Sequence, residues 1–281
     1  MRMRKRAIGY RVIFPCWFLV GIMSNLHAQQ ADTLSIMRDF VNISNGYKRV
    51  PMFLDLVMKN STNFIAAPED TMSAKGQFYL THTNSYVHFG DFEQVVNDSV
   101  AVLVSHKLQQ IIVYTDAAPV VKRMKSMMGI QLPDSAVRDF AGRYLSSTKK
   151  IPGESSVIEL RSRDVLPGTA IPGEAIELRY DEKKKTPQQV ITCRRDMIPL
   201  DSMQYLQLKK EGGVALEASL LKLEDGYFLV KEQVTTYMYK QLDLLSAVKV
   251  PVLVSDRVTY TNNTGYVPVK KYESYRLIIN D

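Results

Sequence analysis

The fold is decided by residues Gln77 to Tyr114, which read QFYLTHTNSYVHFGDFEQVVNDSVAVLVSHKLQQIIVY. Short apolar segments alternate there with polar turn residues, as in strands joined by tight turns. Apolar residues fall on both faces of these segments, so we expect the sheet to bury one face and to line a second apolar space with the other. The predicted antiparallel strands are Met72–Leu80, Ser85–Phe89, Phe92–Val96, Val100–Ser105 and Gln110–Tyr114.

The first 28 residues are typical of a secretory signal peptide. Five basic residues are followed by the apolar stretch Val12 to Met23 and then by a polar and small-residue segment that ends at Ala28. The apolar stretch has about twelve residues, fewer than the roughly 20 that span a bilayer, so cleavage near Ala28 is favoured over an uncleaved anchor. Cys16 lies inside this leader, so we expect no lipid anchor. The predicted product is periplasmic or secreted.

The net charge of the chain comes mostly from this leader. The formal charge is +7, and the five basic residues before position 29, with no acidic residue among them, leave +2 for the rest. Basic and acidic residues are interspersed in that remainder, whereas nucleic-acid-binding proteins concentrate basic residues in a patch. We therefore expect no nucleic-acid partner.

Cys193 is the one cysteine after the leader, which excludes an internal disulfide. We interpret Cys193 as a small buried apolar residue rather than a reactive nucleophile.

An amphipathic helix is predicted at the start of the mature chain. Asp32 is placed to cap it, and apolar residues follow at helical spacing: Leu34, Met37, Phe40 and Val41. Such a helix needs an apolar surface to pack on, and the sheet that follows it in the chain provides one.

A helical lid is predicted over residues 117–148, between two strand regions. Helical spacing of apolar residues runs from Ala117 to Gly129, and Pro133-Asp134 starts a second helix. Its methionines have flexible side chains that suit either an irregular core or a surface that adapts to varied apolar ligands. The residues concerned are Met124, Met127 and Met128.

The second half of the chain again predicts strands. Ile158 to Arg161 and Ile176 to Arg179 are similar segments, each with one aliphatic and one charged face. Asp225-Gly226 predicts a two-residue hairpin turn. The other predicted strands are Gln188–Arg195, Gln204–Lys209, Val248–Val254, Arg257–Tyr260 and Tyr272–Ile279. No linker rich in Pro, Gly or Ser separates the halves, so one domain is expected over residues 29–281.

The sequence shows no catalytic motif. It has no G-x-S-x-G, H-E-x-x-H, C-x-x-C or glycine-rich phosphate loop. His82, His88 and His106 all lie in or beside the first sheet and are the candidates for a metal or acid–base cluster, but no carboxylate follows them at close ligand spacing apart from Asp91 and Glu93. We therefore expect no catalytic site, no cofactor and no metal site.

Residues Phe92 to Tyr114 resemble the middle strands of the periplasmic lipoprotein-carrier family of the LolA and LolB type. Asn97-Asp98-Ser99 stands at one turn, and Lys107 to Ile111 leads into the next strand. The order of elements is also similar. The resemblance implies an incomplete β-barrel closed by helices, whose cavity holds the acyl chains of a lipoprotein in transit. The family's aromatic residue after the turn is replaced here by Val100 to Val104, so no binding residue is carried over.

The predicted fold is α+β: a curved antiparallel sheet, or incomplete β-barrel, covered by helices. We interpret the protein as an exported soluble carrier of an apolar ligand, with a structural or interaction protein of the cell envelope and an unrecognised hydrolase as alternatives. The expected partners are a lipid or an acylated protein, with transient contact to a membrane surface. The predicted ligand-binding residues are Phe78, Leu80, Tyr86, Val102, Val104, Ile112, Met124, Met127 and Met128.

Overall fold

The computed structural model describes residues 33–44, 51–121, 134–151, 155–212, 216–244 and 248–280. Helix α1 spans residues 33–44, α2 Asp134–Arg143 and α3 Ser202–Glu211. None of the helices in these ranges is long and apolar enough to cross a membrane. The strands are β1 (Met52–Thr62), β2 (Ser73–Leu80), β3 (Ser85–Phe89), β4 (Phe92–Val96), β5 (Ala101–Ser105), β6 (Gln110–Tyr114), β7 (Tyr144–Ile151), β8 (Ser155–Ser162), β9 (Glu174–Asp181), β10 (Thr186–Leu200), β11 (Leu220–Leu223), β12 (Gly226–Leu244), β13 (Val258–Thr261), β14 (Gly265–Pro268) and β15 (Arg276–Asn280).

Thirteen strands form one large sheet in the order β15-β6-β5-β4-β3-β2-β1-β12-β10-β9-β8-β7, with β11 paired to β12. The two ends of this order, β15 and β7, do not pair with each other, so the sheet is open rather than closed into a barrel. All neighbours are antiparallel except β15 and β6, which are parallel. The strands β13 and β14 make a separate hairpin. The sheet is therefore mixed, where a purely antiparallel sheet was predicted.

The predicted strands of the first half are confirmed almost residue for residue, as β2 to β6. Their turns are short enough to force antiparallel neighbours, and Gly90 has the positive φ of 62° that the tight β3–β4 turn needs. In the second half, β8, β9, β10 and the β11–β12 hairpin are also where the sequence predicts them. Of the two turn residues of that hairpin, Asp225 and Gly226, only Gly226 has a positive φ, of 138°.

Two predicted strands are wrong. Gln204 to Lys209 lies in helix α3, because Asp201 caps its first turn by accepting a hydrogen bond from the Gln204 backbone N–H at 2.7 Å, while the Gln204 side chain accepts one from the Asp201 N–H at 3.0 Å. Val248 to Val254 forms no strand, and a 3-10 turn begins at Val254. In addition, Tyr144 opens strand β7, so the helical part of the predicted lid ends at Arg143.

One face of the sheet carries the helices, and we call it the helical face. A row of cross-strand neighbours runs along it from β8 to β2: Ile158, Leu178, Val190, Tyr237, Met58 and Ala74. Helices α1 and α2 cover the β8–β10 end of this row, where Met37 and Val137 are buried against the strands. Phe40 of α1 and Phe140 of α2 stack with ring centroids 6.1 Å apart. The predicted N-terminal helix is therefore confirmed, with the sheet as its partner.

The C-terminal segment, residues 248–280, covers the other face of the sheet at strands β4 to β6. Val258 and Tyr272 pack there on Val102, Val104 and Ile111, all of which are buried. The large sheet thus has separate cores on its two faces, one under helices and one under the C-terminal segment.

Candidate functional site

The middle of the helical face carries an apolar strip between its two covered ends. We call it the central strip, and its side chains are only partly buried, although they pack against the buried Leu54, Leu56 and Leu80. At one side of it α1 and α2 cover β8 to β10, and at the other side residues 117–121 pack against Val96 and Ala101. The central strip consists of Phe78, Val87, Phe89, Tyr237, Tyr239 and Leu242.

Gly76 shapes the central strip because it has no side chain. It lies within strand β2, and a Cβ atom there would be 2.7 Å from the ring of Phe89 and 2.9 Å from the ring of Phe78. The two rings therefore occupy the space above a bare backbone, with centroids 6.5 Å apart. A glycine inside a strand often marks such a close approach. The sequence contained this signal, since Gly76 interrupts an otherwise regular strand.

The predicted ligand-binding residues do not line one space. Strand register places Phe78, Leu80 and Ile112 on the helical face, because Phe78, Val87, Gln94, Leu103 and Ile112 are successive cross-strand neighbours. The residues Tyr86, Val102 and Val104 point to the other face. Successive residues of a strand point to opposite faces of the sheet, so the two sets of predicted residues cannot line the same binding surface on an open sheet.

The predicted wall is therefore corrected for Tyr86, Val102 and Val104. The last two have no exposed surface, and the cover over them is the C-terminal segment rather than a helical lid. The predicted lid residues Met124, Met127 and Met128 lie outside the described residues. Only Phe78 of the six residues in the central strip was predicted from the sequence. The three that lie on β12 (Tyr237, Tyr239 and Leu242) could not be placed there because the side of the sheet that they face depends on pairing with β1.

A buried ionic cluster joins the C-terminal segment to the sheet on the face opposite the helices. The Arg257 Nε donates to Glu93 Oε2 at 2.7 Å, and the guanidinium lies 5.2 Å from the centre of the Tyr272 ring. Glu93 Oε1 also faces His106 Nε2 at 3.3 Å. The Tyr86 hydroxyl lies 3.4 Å from the same oxygen. Both Glu93 and Arg257 are buried.

The electrostatics of this cluster are those of a structural ion pair. Burial alone would raise the pKa of Glu93, but the hydrogen bond and charge of Arg257 outweigh it, so the pKa of Glu93 lies below its ordinary value. Burial and the nearby Glu93 charge raise the pKa of Tyr86 to about 12. The carboxylate is thus kept ionised and the phenol neutral. The buried Glu93–Arg257 pair thus links strand β4 to the C-terminal segment.

The three histidines do not form a metal site. His106 belongs to the Glu93 cluster, where its Nδ1 lies 3.1 Å from the Tyr275 hydroxyl, and His88 pairs across the strands with Glu93. His82 lies in the β2–β3 loop. Within the described ranges there is no group of three His, Cys, Asp or Glu side chains that could hold a metal ion.

A cavity of about 610 Å³ lies on the opposite face from the helices, beneath the loop between β8 and β9. Its lining includes Ile171, Ile191, Glu177 and the ion pair of Arg195 with Glu232. Cys193 also lines the cavity, and burial of its half-buried thiol raises the thiol pKa, which favours the neutral form. This cavity is not the apolar space that the sequence predicts, since charged side chains form much of its wall.

Comparison with known proteins gives weak similarities only. No protein-family model and no curated protein sequence matches the chain. Among solved structures, a LolA superfamily protein from Nitrosomonas europaea is 13% identical, with 76% of this chain and 93% of that chain covered and a TM-score of 0.24. An outer membrane lipoprotein-sorting protein domain from Vibrio parahaemolyticus is 10% identical, with 81% and 96% covered and a TM-score of 0.21. The first of these two weak similarities is to the family that the segment Phe92 to Tyr114 resembles in sequence.

Proposed function

We propose that the protein is a non-catalytic carrier that holds an apolar ligand, such as an acyl chain, against the central strip. The observation that supports this proposal is the strip itself: six half-buried apolar side chains in the middle of the helical face, between two ends that have their own cover. A contiguous apolar patch on a folded protein is a candidate site for binding another apolar group.

The geometry of the strip suits a long, flexible ligand. Its side chains come from β12 on one side of β1 and from β2 and β3 on the other, and these four strands are successive neighbours in the sheet. Neighbouring strands are about 4.8 Å apart, so four strands give a strip about 14 Å across, which is the length of roughly eleven methylene groups in an extended chain. Each fully buried methylene contributes about 0.8 kcal/mol, so eleven contribute at most about 9 kcal/mol, from which the cost of association is subtracted.

We further propose that the carrier acts outside the cytoplasm after removal of residues 1–28. The support is the basic segment, the short apolar stretch and the small residues near Ala28. The proposed ligand is then an amphiphile of the cell envelope, either a free lipid or the acyl chains of an acylated protein.

The test uses the absence of tryptophan after the leader. Trp17 is the single tryptophan of the chain, so protein produced from residue 29 has none. A Phe89→Trp substitution places a fluorophore in the central strip, and Tyr79→Trp places one on the other face of the neighbouring strand β2, where Tyr79 is half-buried as well. Bromine quenches tryptophan at short range, so delipidated protein is titrated with a brominated fatty acid.

We expect saturable quenching of the Phe89→Trp variant and weak quenching of the Tyr79→Trp variant. Both variants should melt within a few degrees of the parent protein, which shows that each is folded. Equal quenching of the two variants would mean that the ligand does not select the central strip. The absence of saturable quenching in both would refute the carrier proposal.

A further inference from the structure

One end of the sheet concentrates exposed lysines. Strands β7 and β8 and the turn between β9 and β10 meet there, since Lys150 pairs with Ser156, Ser156 with Tyr180, and Ser155 with Asp181. Five lysines, all exposed, lie at this end on the last residues of β7 and in the β9–β10 turn. They are Lys149, Lys150, Lys183, Lys184 and Lys185.

The acidic side chains at the same end are already engaged by this protein. Glu159 is bound by Lys149, with 2.6 Å between Nζ and Oε1, and also lies 3.5 Å from Arg161. Glu182 lies 3.3 Å from Lys150. The Asp181 Oδ1 accepts hydrogen bonds from the backbone N–H groups of the next turn residues, at 2.8 and 2.9 Å. Among the described residues at this end, five lysines thus face three carboxylates, and the Asp181 carboxylate in the turn is occupied by backbone N–H groups.

The β9–β10 turn presents its three lysines on an ordered backbone. The Lys185 N–H closes the turn on the Asp181 carbonyl at 2.9 Å. Lys185 itself has a φ of 52°, a left-handed conformation that favours glycine or asparagine and that costs a lysine about 1 kcal/mol. Its Nζ lies 5.3 Å from the centre of the Tyr180 ring.

We propose that this lysine-rich end of the sheet docks the protein on the anionic headgroups of a lipid bilayer. The inference rests on the proposed carrier function, because a carrier of acyl chains must meet a lipid surface to load or release them. Basic side chains at an anionic surface each strengthen binding about fivefold, and the attraction acts within a Debye length of about 8 to 10 Å at ordinary salt concentrations. Headgroup phosphates match exposed ammonium groups, which act as mobile point charges.

The opposite end of β10 supplies a matched control. Lys209, Lys210 and Lys222 are also exposed there, in α3 and β11, and they equal the turn lysines in number. Four exposed acidic residues are interspersed with them: Glu211, Glu217, Glu224 and Asp225. An anionic surface should therefore gain little from contact with that end, since its charges cancel.

The experiment is flotation of the mature protein with vesicles of phosphatidylglycerol mixed with phosphatidylcholine, and with vesicles of phosphatidylcholine alone. We expect binding to the anionic vesicles only, and loss of that binding at about 1 M salt, where the Debye length is about 3 Å. The combined variant Lys183→Gln, Lys184→Gln, Lys185→Gln should bind about 100-fold more weakly, since three charges of about fivefold each are removed. The variant Lys209→Gln, Lys210→Gln, Lys222→Gln should change binding by less than about threefold.

Equal losses in the two triple variants would overturn the proposal, because they would show dependence on net charge and not on this end of the sheet. Equal binding to both vesicle types would overturn it too, as would no binding to either, which would leave an acidic protein surface as the partner chemistry. The fatty-acid quenching assay, run without vesicles on the same lysine variants carrying Phe89→Trp, separates the two proposals: intact quenching with lost flotation supports docking, and lost quenching with intact flotation removes the carrier function alone.

Discussion

Replacing Arg257 by methionine removes the cation that faces Glu93 while it keeps a side chain of similar length. The two residues are 164 positions apart in the chain, and each retains only 7% of its surface exposure. The substitution leaves a buried carboxylate without its main partner, a change that costs about 3 to 5 kcal/mol in proteins. Glu93 keeps two weaker neighbours, His106 at 3.3 Å and the Tyr86 hydroxyl at 3.4 Å, so we expect the lower end of that range, about 3 kcal/mol.

The measurement is equilibrium unfolding in urea of protein produced from residue 29, followed by circular dichroism. A loss of about 3 kcal/mol corresponds to a melting temperature lower by roughly 6 to 12 °C for a chain of this size. The Glu93→Met, Arg257→Met double variant should recover at least about 2 kcal/mol relative to the sum of the single variants, because no buried charge remains unpaired. A loss below about 1 kcal/mol for Arg257→Met, as for an exposed ion pair, would refute the reasoning.

Three further predictions concern the described contacts. Hydrogen bonds from Lys231 and from the Ala66 backbone hold the pKa of Asp70 well below its ordinary value, so the ionised carboxylate stabilises the fold fully above that value and this stabilisation is lost as the pH falls below it. In urea unfolding from about pH 5 to pH 2, the Asp70→Asn variant should therefore lose less stability than the parent protein. Parallel losses in the two proteins would contradict this. Gly76→Val should destabilise the protein by about 1 to 3 kcal/mol, because the new side chain would clash with the rings of Phe78 and Phe89. Gly142→Ala in α2, where a Cβ atom has open space, should instead stabilise the protein by about 0.5 to 1 kcal/mol. Thermal melting measures both effects, and equal effects would count against the close packing at Gly76. Asp201→Ala should cost about 1 kcal/mol in urea unfolding by removing the α3 cap, and no change would show that the cap is dispensable.

The positions of most elements follow from local patterns that the sequence displays. Strands β2 to β6 are bounded by turn residues within a few positions, so their limits need no information from the rest of the chain. Helix α3 was not predicted from the spacing of apolar residues, because Gln204 to Lys209 shows no clear helical period. The capping box at Asp201 stabilises a helix there, although none of the side chains of α3 is buried. The capping signal was present in the sequence and outweighs the spacing of apolar residues there.

The sequence by itself determined where most of the strands and helices lie and that the sheet is apolar on both faces. Only the tertiary structure decided which cover each face receives, because that depends on contacts between residues far apart in the chain. Val102 and Val104 are covered by the C-terminal segment. An ion pair between Arg257 and Glu93 holds that segment in place, and no local sequence pattern predicts this contact. The residues of the candidate site differ from the predicted ligand-binding residues for the same reason. Phe78 and Leu80 stay on the helical face, but their neighbours are Tyr237 and Leu242 of β12, brought there by pairing with β1 rather than by proximity in sequence.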